Sequence, residues 1–423
     1  MPQPVVVIPF ASSIHGKEYY MGVFDLFKRL LEKYAIEIHS EVITEEGLVP
    51  RIAKEYSDYF PIILILTGGT SKLVRRFIDI GAFERTILLA HGEHNSLSSA
   101  ISARAKLEAD GIWTWLYYCT DPSDRECSLV IDKMMKVART VTKIIGSRIV
   151  IIGISEKNET IENYETKFNS TVSLVSMDDF EKLIERADRT EVEAFIKEIT
   201  RLLKSEIPLD KLVQVGKIYA AIKKLSKETN ADAIAIDCFP YLVKHGITPC
   251  LAIAKLNSEG IIVACEADIQ SVFNMLISKS LSGTSGWIAN ANIFEGRRGI
   301  FSHCTISLDL IKNGIIVSHF ESGYPYSLSA EMNMNVVTLL SISSDFSLLA
   351  SSIGKIVQTG MMSVAMCRTQ AVVEFDFDSE KIPLVAPANH HVFIPGDHRE
   401  ELKAIAYLLG IDYSDYYELI SMV

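Results

Sequence analysis

The sequence predicts an α/β protein: two Rossmann- or flavodoxin-like parallel α/β domains followed by a β-rich, antiparallel, barrel-like C-terminal domain. Three observations lead there. Apolar runs of strand length alternate with segments of helical periodicity as far as Gly283, the pattern of βαβ units. Beyond Gly283 the texture changes, and Gly and Ser punctuate short strands with turn signals between them. Finally, 423 residues, 48% of them hydrophobic and 22% charged, exceed one ordinary domain and can fill several cores. The expected boundaries are 1–146, 147–283 and 284–423.

In the first domain Val5–Phe10 is a continuous apolar run, as a strand buried on both faces should be. Tyr19–Tyr34 has helical periodicity, with Phe24, Leu26, Phe27, Leu30 and Leu31 on one side. A strand follows at Ile36–Val42, a helix near Leu48–Tyr56, and a strand at Pro61–Leu66 that ends in Thr67-Gly68-Gly69-Thr70. A helix from Ser71, a strand at Thr86–Ala90 and a helix from Ser96 complete the pattern. The second domain opens on Arg148–Gly153, with a further strand at Val172–Val175. Arg186–Glu228 is highly charged with apolar residues at helical intervals, a solvated helical pair beside a sheet. Strands return at Ala233–Ile236, Thr248–Ile253 and Ile261–Ala264, before an apolar helix from Ile269 to Leu281. The third domain shows short strands at Ile300–Ile306, Gly314–Phe320, Val336–Ser341 and Ala371–Phe377.

A net charge of −11 opposes a polyanion-gripping protein, so nucleic acid is not an expected partner. The seven cysteines are an odd number, scattered and without a CxxC pair, which fits reduced thiols better than a disulfide framework. The start MPQPVVVIPF lacks the basic and long apolar regions of a signal peptide, and no apolar run reaches membrane-spanning length. The expectation is a cytoplasmic, soluble protein with no membrane partner.

Ligands bind at the carboxyl ends of strands in open α/β sheets. Cys265-Glu266-Ala267-Asp268 follows an apolar strand and precedes a helix. Two carboxylates there can hold a cation, or Asp268 can simply cap the helix with Glu266 solvated. His303 sits inside the apolar strand GIFSHCTIS, where a histidine is either a satisfied core residue or a ligand. His390 and His391 are neighbours in a strand and point to opposite faces, so at most one of them serves a given site. A carboxylate with imidazoles and oxygen ligands suits Mn²⁺ or another divalent ion. Arg368 lies at the entrance of the strand Ala371–Phe377, where it could meet an anion or hydroxyl.

The segments carrying these residues resemble those of the L-fucose and L-arabinose isomerases. Cys265 to Gly283 resembles the metal-site strand and helix of the fucose enzymes. Asn389-His390 through Leu409-Gly410-Ile411 resembles their last metal-ligand stretch, and Gly299–His303 is similar to the strand giving a histidine ligand in the arabinose enzymes. Cys367-Arg-Thr-Gln370 and His319-Phe-Glu-Ser-Gly323 look like pieces of shorter fucose-isomerase-like proteins. The likeness covers roughly residues 230–423, and the N-terminal domain more loosely through Leu66–Gly69 and Asn95-Ser96.

The resemblance implies a metal-dependent aldose–ketose isomerase working through an enediol. Glu266 would be ligand and acid/base, with His303, His390 and Asn290 completing the metal site. The family's second acid falls at or near Asn290, and an amide cannot accept a proton as a carboxylate does. Asp268 then becomes the candidate for that role. Arg368 is the expected contact to the far end of a sugar, an anionic one included. His94 and Asn95, with His91, are expected to reach a neighbouring subunit's site in a homotrimer or homohexamer. The other readings are a non-catalytic sugar-binding or regulatory relative, and a metal-dependent lyase or aldolase on the same scaffold.

Overall fold

The computed structural model describes residues 3–423. The chain divides into two compact units. One runs to Ile145 and takes in Glu400–Ile411; the other comprises Gly146–Arg399 and Asp412–Val423.

The first unit is built on strands β1 (Val5–Phe10), β2 (Glu37–Ile38), β3 (Phe60–Ile65), β4 (Arg85–His91) and β5 (Trp113–Cys119). They form a parallel sheet in the order β2-β1-β3-β4-β5. The apolar runs VVVIPF and FPIILI are buried at every residue because helices cover both faces of such a sheet. The turn Thr67–Thr70 packs against the His94–Asn95 loop: the Gly68 amide donates to the His94 carbonyl at 2.8 Å, and a Cβ on Gly68 would meet the Asn95 Cβ at 2.7 Å. That close approach accounts for the glycine. Cys119, ending β5, and Cys127, in the first turn of the helix Arg125–Ile144, are joined as a disulfide, where the sequence pointed to reduced thiols. Their spacing of eight residues across a strand-to-helix turn is what the scattered pattern concealed.

The second unit begins with β6 (Arg148–Ile152), β7 (Thr171–Val175), β8 (Lys204–Ser205), β9 (Ala233–Ile236) and β10 (Val263–Cys265). A parallel sheet runs β10-β9-β6-β7. The charged stretch forms two amphipathic helices, Arg189–Leu202 and Leu212–Thr229. Thr248–Ile253 is not a strand, as expected, but leads into the buried helix Cys250–Ser258. A short, uniformly apolar run carries no period, and Pro249 at the helix start with two alanines inside favours the helical choice.

The remaining strands are β11 (Trp287–Glu295), β12 (Arg298–His303), β13 (Ile311–Ser318), β14 (Pro325–Met332), β15 (Val336–Ile342), β16 (Leu348–Thr359), β17 (Thr369–Glu374), β18 (His390–Pro395) and β19 (Asp412–Asp415). Six of them close an antiparallel barrel in the order β15-β18-β11-β12-β17-β16, sealed by the β15–β16 pairing. β19 adds to β16 in parallel, and β14-β13-β8 form a separate ribbon. Trp287, Phe301, Leu339, Val373 and Phe393 fill the core that the barrel shares with the sheet. No helix among the described residues is long and apolar enough to cross a membrane.

Sheet and barrel meet through the helix Ile269–Ser282, which packs on β15 and β18. It is capped at one end by Asp268 and stopped at the other by Gly283 at φ 82°. Nothing lies within 4 Å of where a Gly283 Cβ would stand, so the left-handed backbone alone demands glycine. Gly283→Ala is expected to cost about 1 kcal/mol, visible as a lower urea midpoint; an unchanged midpoint would show that the helix end relaxes freely.

Candidate metal centre

Glu266 stands just past β10, where the chain turns sharply: Glu266 and Ala267 take the left-handed conformation at φ 60° and 51°. Ala267 donates to the Ile236 carbonyl at 3.0 Å and so holds the turn over the end of the parallel sheet. Two consecutive non-glycine residues in this region are costly and are kept where the surrounding structure demands them. The result presents the Glu266 carboxylate towards two barrel strands.

From those strands come His303, the last residue of β12, and His390, the first of β18. His303 Nε2 lies 3.7 Å from Glu266 Oε1, and His390 Nε2 lies 3.8 Å from Glu266 Oε2. These separations are too long for hydrogen bonds. One ligand atom from each of the three residues lies within 4.8 Å of the others, so the set could hold a metal ion. Both ring nitrogens of His303 and Nε2 of His390 are buried without a hydrogen-bond partner among the described residues. Buried polar atoms are seldom left so, and a shared cation would take His390 Nε2 and one of the His303 nitrogens.

Asp268 is engaged four times. Its carboxylate accepts from the backbone of Gln270 (2.9 Å) and Ser271 (3.0 Å), from the Ser271 hydroxyl (2.5 Å) and from His390 Nδ1 (2.7 Å). The last bond fixes the proton on Nδ1 and turns the Nε2 lone pair towards Glu266 and His303, the arrangement by which a carboxylate orients a metal-binding imidazole. Burial pulls the His390 pKa down, but the bond to Asp268 and the charges of Asp268 and Glu266 outweigh it, so the net shift is upward. Burial lowers His303, keeping that imidazole neutral against the pull of Glu266. The Glu266 carboxyl is held below its usual range by His303, with His390 adding to the effect against burial.

The three residues do not stand alone. Glu266 and His303 line a small cavity of about 30 Å³ together with Asn290, Phe239, His319 and Glu321. Asn290, on β11, pairs in register with both Ser302 and His390, and its side-chain oxygen accepts from Asn389 at 2.6 Å. Cys238, Cys250, Cys265, Cys304 and Cys367, none in a disulfide, also line this cavity. The Cys304 thiol faces Cys367 with the sulfurs 3.3 Å apart. Nothing in their spacing along the chain foretold that they converge.

The remaining sequence candidates stand elsewhere. Strand alternation turns His391 to the opposite face from His390, where it is buried with Nε2 2.7 Å from the Tyr416 hydroxyl. Arg368 donates to the carbonyls of Ser318 (2.9 Å) and Val364 (3.1 Å) and lies over the Phe320 ring. His94 and Asn95 belong to the first unit, in the loop after β4. His94 stacks on Tyr19 with ring centroids 3.5 Å apart, and its Nδ1 lies 3.1 Å from that of the half-buried His15. His91 is fully buried, with Nε2 2.9 Å from the Leu66 carbonyl and Nδ1 accepting from the Glu93 amide, which withdraws it from the exposed loop.

Fold and site together define a mixed α/β protein in which a glutamate from the parallel sheet and two histidines from the barrel meet beside a small polar cavity. Among proteins of known function, the chain is 29% identical over 103 residues to the sulfoquinovose isomerase of Priestia aryabhattai, and to that of Priestia megaterium to the same extent. The match takes in 24% of this chain and 22% of each relative's length. No protein-family model matches the chain.

In metal-free protein the His390 ring should titrate above the ordinary histidine value, and Asp268→Asn should bring it down. A raised folded-state pKa means that the pair's stabilisation is complete below about pH 6.5 and is lost as pH rises through the folded-state value. An NMR titration of the histidine rings reads this directly; a His390 midpoint indifferent to Asp268→Asn would break the proposed pairing.

Proposed function

We propose that the chain is a divalent-metal-dependent sugar isomerase that interconverts an aldose and a ketose through an enediol. The observation that carries this reading is the convergence of Glu266, His303 and His390, with the His303 ring and His390 Nε2 buried and unpartnered among the described residues, beside a polar-lined cavity. The partial likeness to two sulfoquinovose isomerases supports the same class, and leaves room for an anionic sugar.

Glu266, His303 and His390 would hold the ion, Mn²⁺ or another divalent metal. When bound, it supplies Lewis acidity towards the sugar's carbonyl and hydroxyl oxygens. Glu266, partly exposed and facing the cavity, carries the proton between the two adjacent carbons. Asp268 serves by orienting His390 rather than by meeting the substrate, because its oxygens are already committed. Asn290 offers a neutral contact to a sugar hydroxyl. Arg368 steadies the chain at Ser318, the residue before His319. His94 and Asn95, exposed in the first unit, are candidates to contact the sugar bound by another copy in a homotrimer or homohexamer.

One observation favours a second reading, a sugar-binding relative without catalysis: Asn290 stands where a second carboxylate would serve. The two readings part in a single experiment. Sugars incubated with Mg²⁺- or Zn²⁺-loaded protein in D₂O should gain deuterium at C1 or C2. Chelation should abolish the exchange, and Glu266→Gln should slow it by about 10²–10⁴-fold, the usual worth of a positioned acid/base. Metal binding with no exchange across neutral, phosphorylated and sulfonated sugars would favour the binding protein. In the same preparations Asp268→Ala should weaken divalent-metal affinity about 10–100-fold by calorimetry; unaltered affinity would refute its orienting role.

A further inference from the structure

Isomerisation moves one proton between carbons and another between oxygens, and Glu266 accounts for only the first. Asn290 has no proton to exchange as an acid, and Asp268 is committed to the helix cap and His390. The other titratable groups lining the cavity are the thiols, His303, His319 and Glu321. Burial raises the thiols of Cys238, Cys250 and Cys265, and the contact with Cys367 raises that of Cys304; Cys367 itself is bound up in that contact. His303 belongs to the metal set. Glu321 stands exposed on the turn after β13, where water competes for it.

His319 is different. It is buried, at 4% exposure, yet lines the cavity beside Glu266 and His303. Its Nδ1 is approached by the Ser322 backbone amide at 3.4 Å and by the Ser322 hydroxyl at 3.2 Å. A backbone N–H can only donate, so Nδ1 accepts and the ring proton sits on Nε2. The backbone holds the residue equally firmly. The His319 amide donates to the Tyr324 carbonyl at 2.8 Å, and its own carbonyl accepts from Gly323 at 3.0 Å. Arg368 grips the preceding residue through the Ser318 carbonyl and covers Phe320. The Phe239 ring closes on the imidazole edge, with centroids 6.3 Å apart. Burial, with the positive charge of Arg368 adding to it, keeps the ring neutral. A neutral imidazole with a fixed N–H, on the wall of a partly desolvated site, is suited to act as an electrophile towards a developing oxyanion.

We propose that His319 is the second proton-transfer group of the isomerisation, and that Ser322 and Arg368 are its positioning residues. This rests on the isomerase reading above. As Glu266 takes the proton from C2, His319 Nε2–H gives its proton to the carbonyl oxygen at C1. The same nitrogen then recovers a proton from the C2 hydroxyl as Glu266 returns the first to C1. Both side chains end as they began, and the sugar has exchanged an aldehyde for a ketone with no change in composition.

The test compares wild type, His319→Gln, His319→Ala and Ser322→Ala, all loaded with Mg²⁺, for isomerisation and for deuterium incorporation from D₂O. Calorimetric metal affinity is measured beside both. The expected result is a kcat about 10²–10³-fold lower in both His319 variants and a smaller loss in Ser322→Ala, with KM and metal affinity within about twofold of wild type. A His319 variant that keeps wild-type kcat overturns the assignment and leaves the isomerase reading standing. A variant that loses metal affinity in parallel with kcat also overturns it, because it places His319 in the metal set or the fold. Wild-type protein that binds metal but neither isomerises nor exchanges any sugar overturns the isomerase reading itself, and this inference with it.

Discussion

The site depends on one carboxylate. Asp268 caps the helix that joins the parallel sheet to the barrel, and the same side chain fixes the ring of His390 on a barrel strand. An isolated buried carboxylate is expensive, but four donors compensate this one. The cap is worth on the order of 1 kcal/mol to the helix. Its larger consequence is geometric. Glu266 arrives from the sheet and His303 and His390 from the barrel, so a shift of the helix against β15 or β18 would separate the ligands. By binding at both ends, Asp268 ties the spacing of the metal set to the packing of the core.

The left-handed pair Glu266–Ala267 belongs to the same constraint. Were the chain to run straight from β10 into the helix, Glu266 would continue the strand direction, and Asp268 would not reach both its backbone donors and His390. The strain in two residues is held by the Ala267–Ile236 hydrogen bond and by the cap that follows at once. Local disorder of the turn would therefore release the helix start, the His390 orientation and the Glu266 position together.

Much of this was legible in the sequence, and the limits have physical causes. Val5–Phe10, Arg148–Gly153 and Ala233–Ile236 reveal themselves because a doubly covered strand must be apolar throughout. The run at Thr248–Ile253 misleads for the same reason, since a fully buried helix is just as apolar and too short to show its period. A β-rich third region could be read from its punctuation. Closure could not, because it depends on β11 meeting β18 across about a hundred residues and on β18 meeting β15, a register that no local pattern encodes. At the site, Glu266, His303 and His390 stood out as polar residues in apolar settings. Asp268 was visible as a cap or a ligand; only the fold shows that it caps and also orients. His319 lay in a segment noticed for its resemblance, but its place beside Glu266 is a product of the ribbon β13–β14 packing against β16 and β17 of the barrel.

The electrostatics of the two histidines divide the work of holding a cation. A ligand imidazole must surrender its proton, so whatever disfavours the charged form favours the metal. Burial does this for His303 at no cost near neutrality, and its ring is ready to bind. His390 is the opposite case, since Asp268 and Glu266 make it a better base and hold on to its proton. A stronger base is also a stronger donor to the ion once that proton has left, which is the usual effect of a carboxylate behind a ligating histidine. Proton competition at the centre therefore falls mainly on His390, and the Asp268 bond that strengthens the ligand also sets the pH at which metal can displace that proton.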